Sequence, residues 1–104
     1  MEEKILKIPS DNKLLEQDLI KNIKKYIDNV YNKFIEELQQ KCIPDSIRLF
    51  SFKETDLQII VKEESYIANI ENIKNHYIQE EDYEKCAKLN KLIDNINRNR
   101  NMNT

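Results

Sequence analysis

From Lys13 to about Lys41, apolar side chains return every three or four residues: Leu15, Leu19, Ile23, Tyr26, Ile27, Val30, Phe34, Ile35 and Leu38. With about 3.6 residues per turn, that spacing gathers them on one side of an α-helix. Neither proline nor glycine interrupts the stretch, so the pattern predicts a single amphipathic helix over 13–42, about 45 Å long at a rise of about 1.5 Å per residue. Ser10, Asp11 and Asn12 are all good N-cap residues, and Pro9 discourages an earlier start. Residues 1–12 read as an extended lead-in arm in which Ile5 and Ile8 can pack.

The segment Cys42-Ile43-Pro44-Asp45-Ser46 ends this periodicity. Two short runs rich in β-branched and aromatic residues follow, Ile47–Phe52 and Leu57–Val61, around the polar Lys53-Glu54-Thr55-Asp56. They predict a short β-hairpin over 47–62. The competing reading is a helix capped by Thr55 with Gln58, carrying Leu57, Ile60 and Val61 inward. Helical spacing resumes at Tyr66, Ile67, Ile70, Ile73, Tyr77 and Ile78, then stops at Glu80-Glu81-Asp82. A last helix is expected from Tyr83 to about Asn97, with Asp82 as its N-cap and the acids matched to the positive end of its dipole. The polar residues 98–104 read as a disordered tail. The expected fold is a mainly α single domain: a long N-terminal helix, a short β-hairpin and, over 64–97, a C-terminal antiparallel helical hairpin.

The chain has 104 residues, enough for one domain and too few for two of ordinary size. Its 17 basic and 19 acidic residues are interleaved, giving a net charge of −2. That distribution disfavours nucleic acid as a partner, because phosphate binding needs positive charge gathered on one face. Only the end of the chain, with Arg98 and Arg100 among asparagines, departs from it. No apolar run approaches the roughly 18 residues of a membrane span. The acidic start Met1-Glu2-Glu3 lacks the form of a secretory signal. A cytoplasmic location is expected. Sixteen Ile against two Val, fourteen Lys against three Arg, and thirteen Asn all favour A/T-rich codons. They point to a low-GC bacterium or a phage-infected host cell.

Glycine is absent, which removes the P-loop, the dinucleotide fingerprint and the nucleophile elbow in their usual forms. Cys42, Cys86 and the single His76 cannot assemble an ordinary zinc site, and no cofactor is expected. Both cysteines are expected as small buried hydrophobes in a reducing compartment. His76 lies four residues before Glu80 but has no nucleophile or oxyanion donor signalled beside it, so a helix histidine is the better reading. Glu80, Glu81 and Asp82 are contiguous acids, better suited to a solvated turn than to a shared cation.

The stretch Glu80-Glu81-Asp82-Tyr83-Glu84-Lys85-Cys86-Ala87-Lys88-Leu89, continuing to Leu92, Ile93 and Ile96, resembles the UVR motif, the helical hairpin of UvrB- and UvrC-type repair proteins and of some Clp-type ATPases and their regulators. Tyr83, Glu84 and Ala87 match its aromatic, acidic and small positions, and Ile93 and Ile96 its aliphatic face. Asn90 and Lys91 stand where the motif has an Arg-Asp pair. The resemblance spans about Ile67 to Ile96 and implies a protein-binding module. It implies that Tyr83 fills the space between the helices near the turn and that Ala87 lets them approach.

The functional expectation is a non-catalytic protein–protein interaction module, an adaptor or accessory protein docking through helical apolar faces. Its premise is that the chain carries more apolar helical surface than one small subunit hides. The stripe from Ile20 through Ile23, Ile27, Val30, Phe34 and Leu38 approximates a heptad seam, so a second copy is one candidate partner, while the C-terminal hairpin alone is the other candidate cover. Tyr26, Phe34, Tyr77, Tyr83 and Leu89 are the expected partner-binding residues, since aromatic and large aliphatic side chains anchor interfaces. Two alternatives fit the same residues: a phage or mobile-element protein that binds a host nucleoprotein machine, and a structural component of a larger particle.

Overall fold

The computed structural model describes residues 5–102, with side chains for 5–101. The elements in chain order are β1 (Leu6–Ile8), α1 (Asn12–Lys21), α2 (Ile23–Leu38), β2 (Ser46–Phe52), β3 (Gln58–Lys62), a 3₁₀ turn (Glu63–Ser65), α3 (Tyr66–Gln79) and α4 (Tyr83–Met102). The architecture is mainly α with a small three-stranded sheet of order β1-β2-β3.

The expected 13–42 helix is two helices. Of the three candidate caps Asp11 is the one used, its carboxylate accepting from the N–H groups of Lys13 and Leu14 at 3.0 and 3.1 Å. The break falls at Asn22, whose φ of −128° and ψ of 34° leave the helical region. Asparagine forms local side-chain bonds that compete with the helix, and here its Nδ2 donates to Asp18 Oδ1 at 2.8 Å. The same Asp18 accepts from the Tyr26 hydroxyl on α2, which ties the two helices together across the bend. Helix α2 then stops at Leu38, short of 42. Its C-terminal carbonyls are claimed from outside: Asn95 on α4 donates to Leu38 O at 2.8 Å and to Gln40 O at 3.2 Å.

The stretch 47–62 is the hairpin, not a helix. The lead-in arm also joins the sheet, with β1 parallel to β2 in the register Leu6↔Phe50, Lys7↔Ser51 and Ile8↔Phe52. Residues 1–4 of that arm lie outside the described residues. Strands β2 and β3 are antiparallel, pairing Ile47 with Val61, Arg48 with Ile60 and Phe50 with Ile59. Two steps on β2 against one on β3 make Leu49 an extra, bulged residue. Its carbonyl accepts from Asn29 of α2 at 2.9 Å. With no glycine to use, the hairpin turn places Glu54 at φ 64°.

The last two helices form the expected antiparallel hairpin. Tyr66, Ile70, Ile73 and Tyr77 on α3 face Cys86, Leu89, Leu92 and Ile96 on α4, and all are buried. The bend is a Schellman close: Asp82 N–H donates to Tyr77 O at 2.9 Å and Glu81 N–H to Ile78 O at 3.0 Å, with Glu81 at φ 61°. Asp82 then caps α4, accepting from Lys85 N–H at 3.3 Å. Helix α4 runs to Met102, five residues past the expected end, so 98–102 are not a disordered tail; 103–104 lie outside the described residues. Arg100 anchors that extension by donating to Glu63 O at 3.1 Å. The core between sheet and helices is aromatic: Tyr26 meets Phe50 at 5.4 Å, Phe34 meets Tyr66 at 6.2 Å, and Tyr31 meets Tyr77 edge-on at 5.4 Å.

Candidate interaction surface

The five residues expected to bind a partner do not share a surface. Tyr26, Phe34, Tyr77 and Leu89 are in the core, the last three with no exposed area. They are corrected to core residues: α2, α3 and α4 bury their apolar faces against one another and against the sheet, so most of the helical stripe is covered within one subunit. Tyr83 alone is exposed, at 63%. It stands on the outer side of the α3–α4 bend, not between the helices, and Ala87 is exposed as well. The places that the resemblance implies for Tyr83 and Ala87 are taken by Tyr77 and Cys86. Cys86 is buried as expected, its thiol donating to Lys74 O at 3.7 Å, whereas Cys42 is exposed in the loop after α2.

Around Tyr77 lies the densest polar cluster. Its hydroxyl donates to Asp28 Oδ1 on α2 at 2.6 Å, and burial, then this bond to a carboxylate, pushes the phenol far above its ordinary range. Lys85 sits 5.1 Å above the Tyr77 ring and 5.6 Å above that of Tyr31, cation–π contacts at the outer limit of useful distance. Beyond the ring, Lys24 pairs with Glu80 at 3.1 Å. His76 Nε2 stands 3.5 Å from Glu80 Oε1, without hydrogen-bond geometry, and has no other partner. The Asp28–Tyr77 bond and the Lys24–Glu80 pair join α2 to the end of α3. Apart from His76 Nε2, the polar groups of this network are met by neighbours.

Two further tyrosines play the same structural part. Tyr66 donates to Pro44 O at 2.6 Å, and burial raises its pKa to about 12. Tyr26 reaches the same value through burial and its bond to Asp18, whose own carboxyl is held below its ordinary value by that hydroxyl and by Asn22. Among the described residues no group of three His, Cys, Asp or Glu side chains could hold a metal ion, and no helix is long and apolar enough to cross a membrane. The concave features are open grooves of about 300–400 Å³.

Exposed apolar side chains define the surface instead. Ile20 and Ile23 flank the Asn22 bend, with Ile20 75% exposed, and Leu14 is exposed in the first turn of α1. Ile78 and Tyr83 flank the α3–α4 bend. Leu57 just before β3, and Ile59 and Ile60 along it, are 68%, 37% and 47% exposed. Among the described residues, strand β3 has β2 on one side and no strand on the other. Sequence reasoning passed over this third group, reading Leu57–Val61 as one strand of the hairpin or as a helix with Leu57, Ile60 and Val61 inward. The signal was present: in a strand with one solvated face, consecutive Ile59 and Ile60 cannot both turn inward.

Comparison with protein-family models, with curated proteins and with solved structures gave no match.

Proposed function

We propose that this protein is a non-catalytic interaction module that docks other polypeptides through apolar side chains at its two bends and along its sheet edge. The observation behind the reading is the exposure of Ile20 and Ile23, of Leu57, Ile59 and Ile60, and of Ile78 and Tyr83, in three local groups. Single exposed apolar residues are ordinary, whereas grouped ones mark contact surfaces. Burying one such Ile or Leu contributes about 1.5–3 kcal/mol, so a few anchors suffice for a specific contact. The polar networks serve the same end by holding α2, α3 and α4 rigid beneath the groups. The UVR-like hairpin belongs to this proposal through Tyr83 and Ile78, its exposed large apolar side chains.

A photo-reactive residue placed singly at Ile20, Ile60 or Tyr83, in the full chain expressed in its native host, tests the reading. The expected result is a reproducible adduct to one polypeptide from at least one of these positions and none from the exposed polar control Asn97. Adducts from no position, or equally from Asn97, overturn it.

A further inference from the structure

We propose that the groove between the end of α2 and the second half of α4 is a docking site for an acidic, extended segment of another polypeptide. It is a fourth surface, charged where the three groups above are apolar, and it does not depend on them.

The groove is open, about 320 Å³ in volume, and lies where Asn95 of α4 donates to the carbonyls of Leu38 and Gln40. Lys88, Lys91 and Arg98 line it, with Leu38 and Leu92 beneath them, and no carboxylate is among its lining residues. Positions 88, 91, 95 and 98 recur at intervals of three and four, so they share one face of α4. Elsewhere the two signs of charge are interleaved, with a net charge of −2. The exception arises because the fold sets Leu38 and Gln39 of α2 beside this face, not Glu36 or Glu37.

The three cations are available to a ligand. Among the described residues Lys91 and Arg98 make no ion pair, and Lys88 meets only Glu84, at 3.8 Å in an exposed pair of little worth. Asp94 lies outside the groove and pairs with neither Lys91 nor Arg98. The negative dipole end of α2 opposes an anion here, and Asn95 offsets part of it by binding two of the carbonyls.

Charge sets the sign of the occupant, and the lining sets its class. Single-stranded nucleic acid is held by aromatic stacking platforms, and no aromatic side chain lines this groove. A duplex needs a broad basic face, which three cations on an acidic chain do not make. A small anion needs an enclosing site, whereas these cations are exposed. A carboxylate-bearing peptide fits each feature. Lys88 and Arg98 are ten residues apart, about 15 Å along the helix, which is the length of about five residues of extended chain. An acid at one end meets Lys88 and Lys91. An acid at the other meets Arg98, whose guanidinium donates two parallel N–H groups to a carboxylate. An aliphatic residue between them rests over Leu92.

Fluorescence anisotropy of a labelled, end-blocked Glu-Glu-Leu-Glu-Glu peptide titrated with the full chain, together with amide NMR spectra, tests the proposal. Binding is expected at low salt and should weaken as salt is raised, with amide shifts confined to the end of α2 and to 88–98. The Gln-Gln-Leu-Gln-Gln peptide is expected not to bind. Lys91→Glu combined with Arg98→Glu should weaken binding by about tenfold or more, whereas Lys13→Glu, an equal charge change on α1, should alter it by less than about twofold. Lys91→Arg should retain it. All these positions are exposed, and circular dichroism confirms that each variant is folded. No binding, shifts centred elsewhere, equal loss with Lys13→Glu, or tighter binding of a thymidine decanucleotide than of the peptide overturns the assignment. Photo-adducts from Ile20, Ile60 or Tyr83 without peptide binding remove this site alone; peptide binding without adducts removes the apolar reading and leaves this one.

Discussion

Tyr77 joins α3 to α2 through one hydroxyl. Replacing it by Phe leaves the ring packing against Tyr31 and leaves the Asp28 carboxylate without its donor. Loss of a hydrogen bond to a charged group costs about 1.5–3 kcal/mol, and Asp28 is half-buried, so Tyr77→Phe is expected near the lower end of that range in urea denaturation. Tyr83→Ala is the contrasting case. Exposed residues away from caps and networks change stability by about 0.5 kcal/mol or less, so this variant should melt like the parent while weakening any contact made at the hairpin bend. Both tyrosines fit a helical apolar pattern equally well in the sequence. Which one is interior depends on where the helices cross, and that depends on residues far along the chain. At Cys42 and Cys86 the same ambiguity was resolved in opposite directions.

Bends carry the information that periodicity does not. Asn22 breaks a helix whose apolar spacing continues straight across it, because one asparagine bonding locally to Asp18 outweighs a repeat that both helices share. The acidic turn at 80–82 was legible as a stop, and Asp82 as a cap, since these are local effects. That Glu81 must take a left-handed conformation follows only from the Schellman geometry. A residue with a Cβ costs roughly 1 kcal/mol or more there, whereas glycine does not. Glu81→Gly is therefore expected to raise stability by about 0.5–1 kcal/mol, read as a shift in the denaturation midpoint without a change in slope. Asn95→Ala should lower it by about 1 kcal/mol, because the carbonyl of Leu38 at the end of α2 and that of Gln40 just past it lose their donor. A sequence window around Leu38 gives no hint of that cap, which arrives from more than fifty residues away.

Taken whole, the molecule is fastened by buried phenols, and its response to pH follows. Tyr26 and Tyr66 have folded-state pKa values of about 12 against an ordinary 10.0, and Tyr77 is displaced further in the same direction. The unfolded chain loses these protons first, so the stability they contribute is complete below pH 10 and declines as pH rises from about 10 to 12. The denaturation midpoint should fall across that window, and Tyr26→Phe should flatten the fall. Asp18 acts at the opposite end. Its pKa is lowered on folding, so its contribution is present above the ordinary carboxylate value and is lost as pH drops through the folded one. Whether the apolar stripes stay open for partners is also decided at this scale. Most are closed within one subunit, and the surface left over sits at two bends and one sheet edge, not along a continuous helical seam.

The order of residue types along the chain was enough to specify the mainly helical class, the cap at Asp82 and the pairing of the last two helices, and to narrow 47–62 to a hairpin or a helix and the first cap to Ser10, Asp11 or Asn12. Each follows from interactions a few residues long: apolar spacing, side-chain caps and turn formers. Only the assembled fold decided that the lead-in arm is a strand, that α1 turns away from α2, that α4 continues to Met102, and that Tyr26, Phe34, Tyr77 and Leu89 are interior while Leu57, Ile59 and Ile60 stay exposed. Those outcomes depend on contacts between distant segments, Leu6 with Phe50, Arg100 with Glu63 and Asn95 with Leu38. Burial is a property of what lies opposite a side chain, and a linear pattern does not contain its own opposite face.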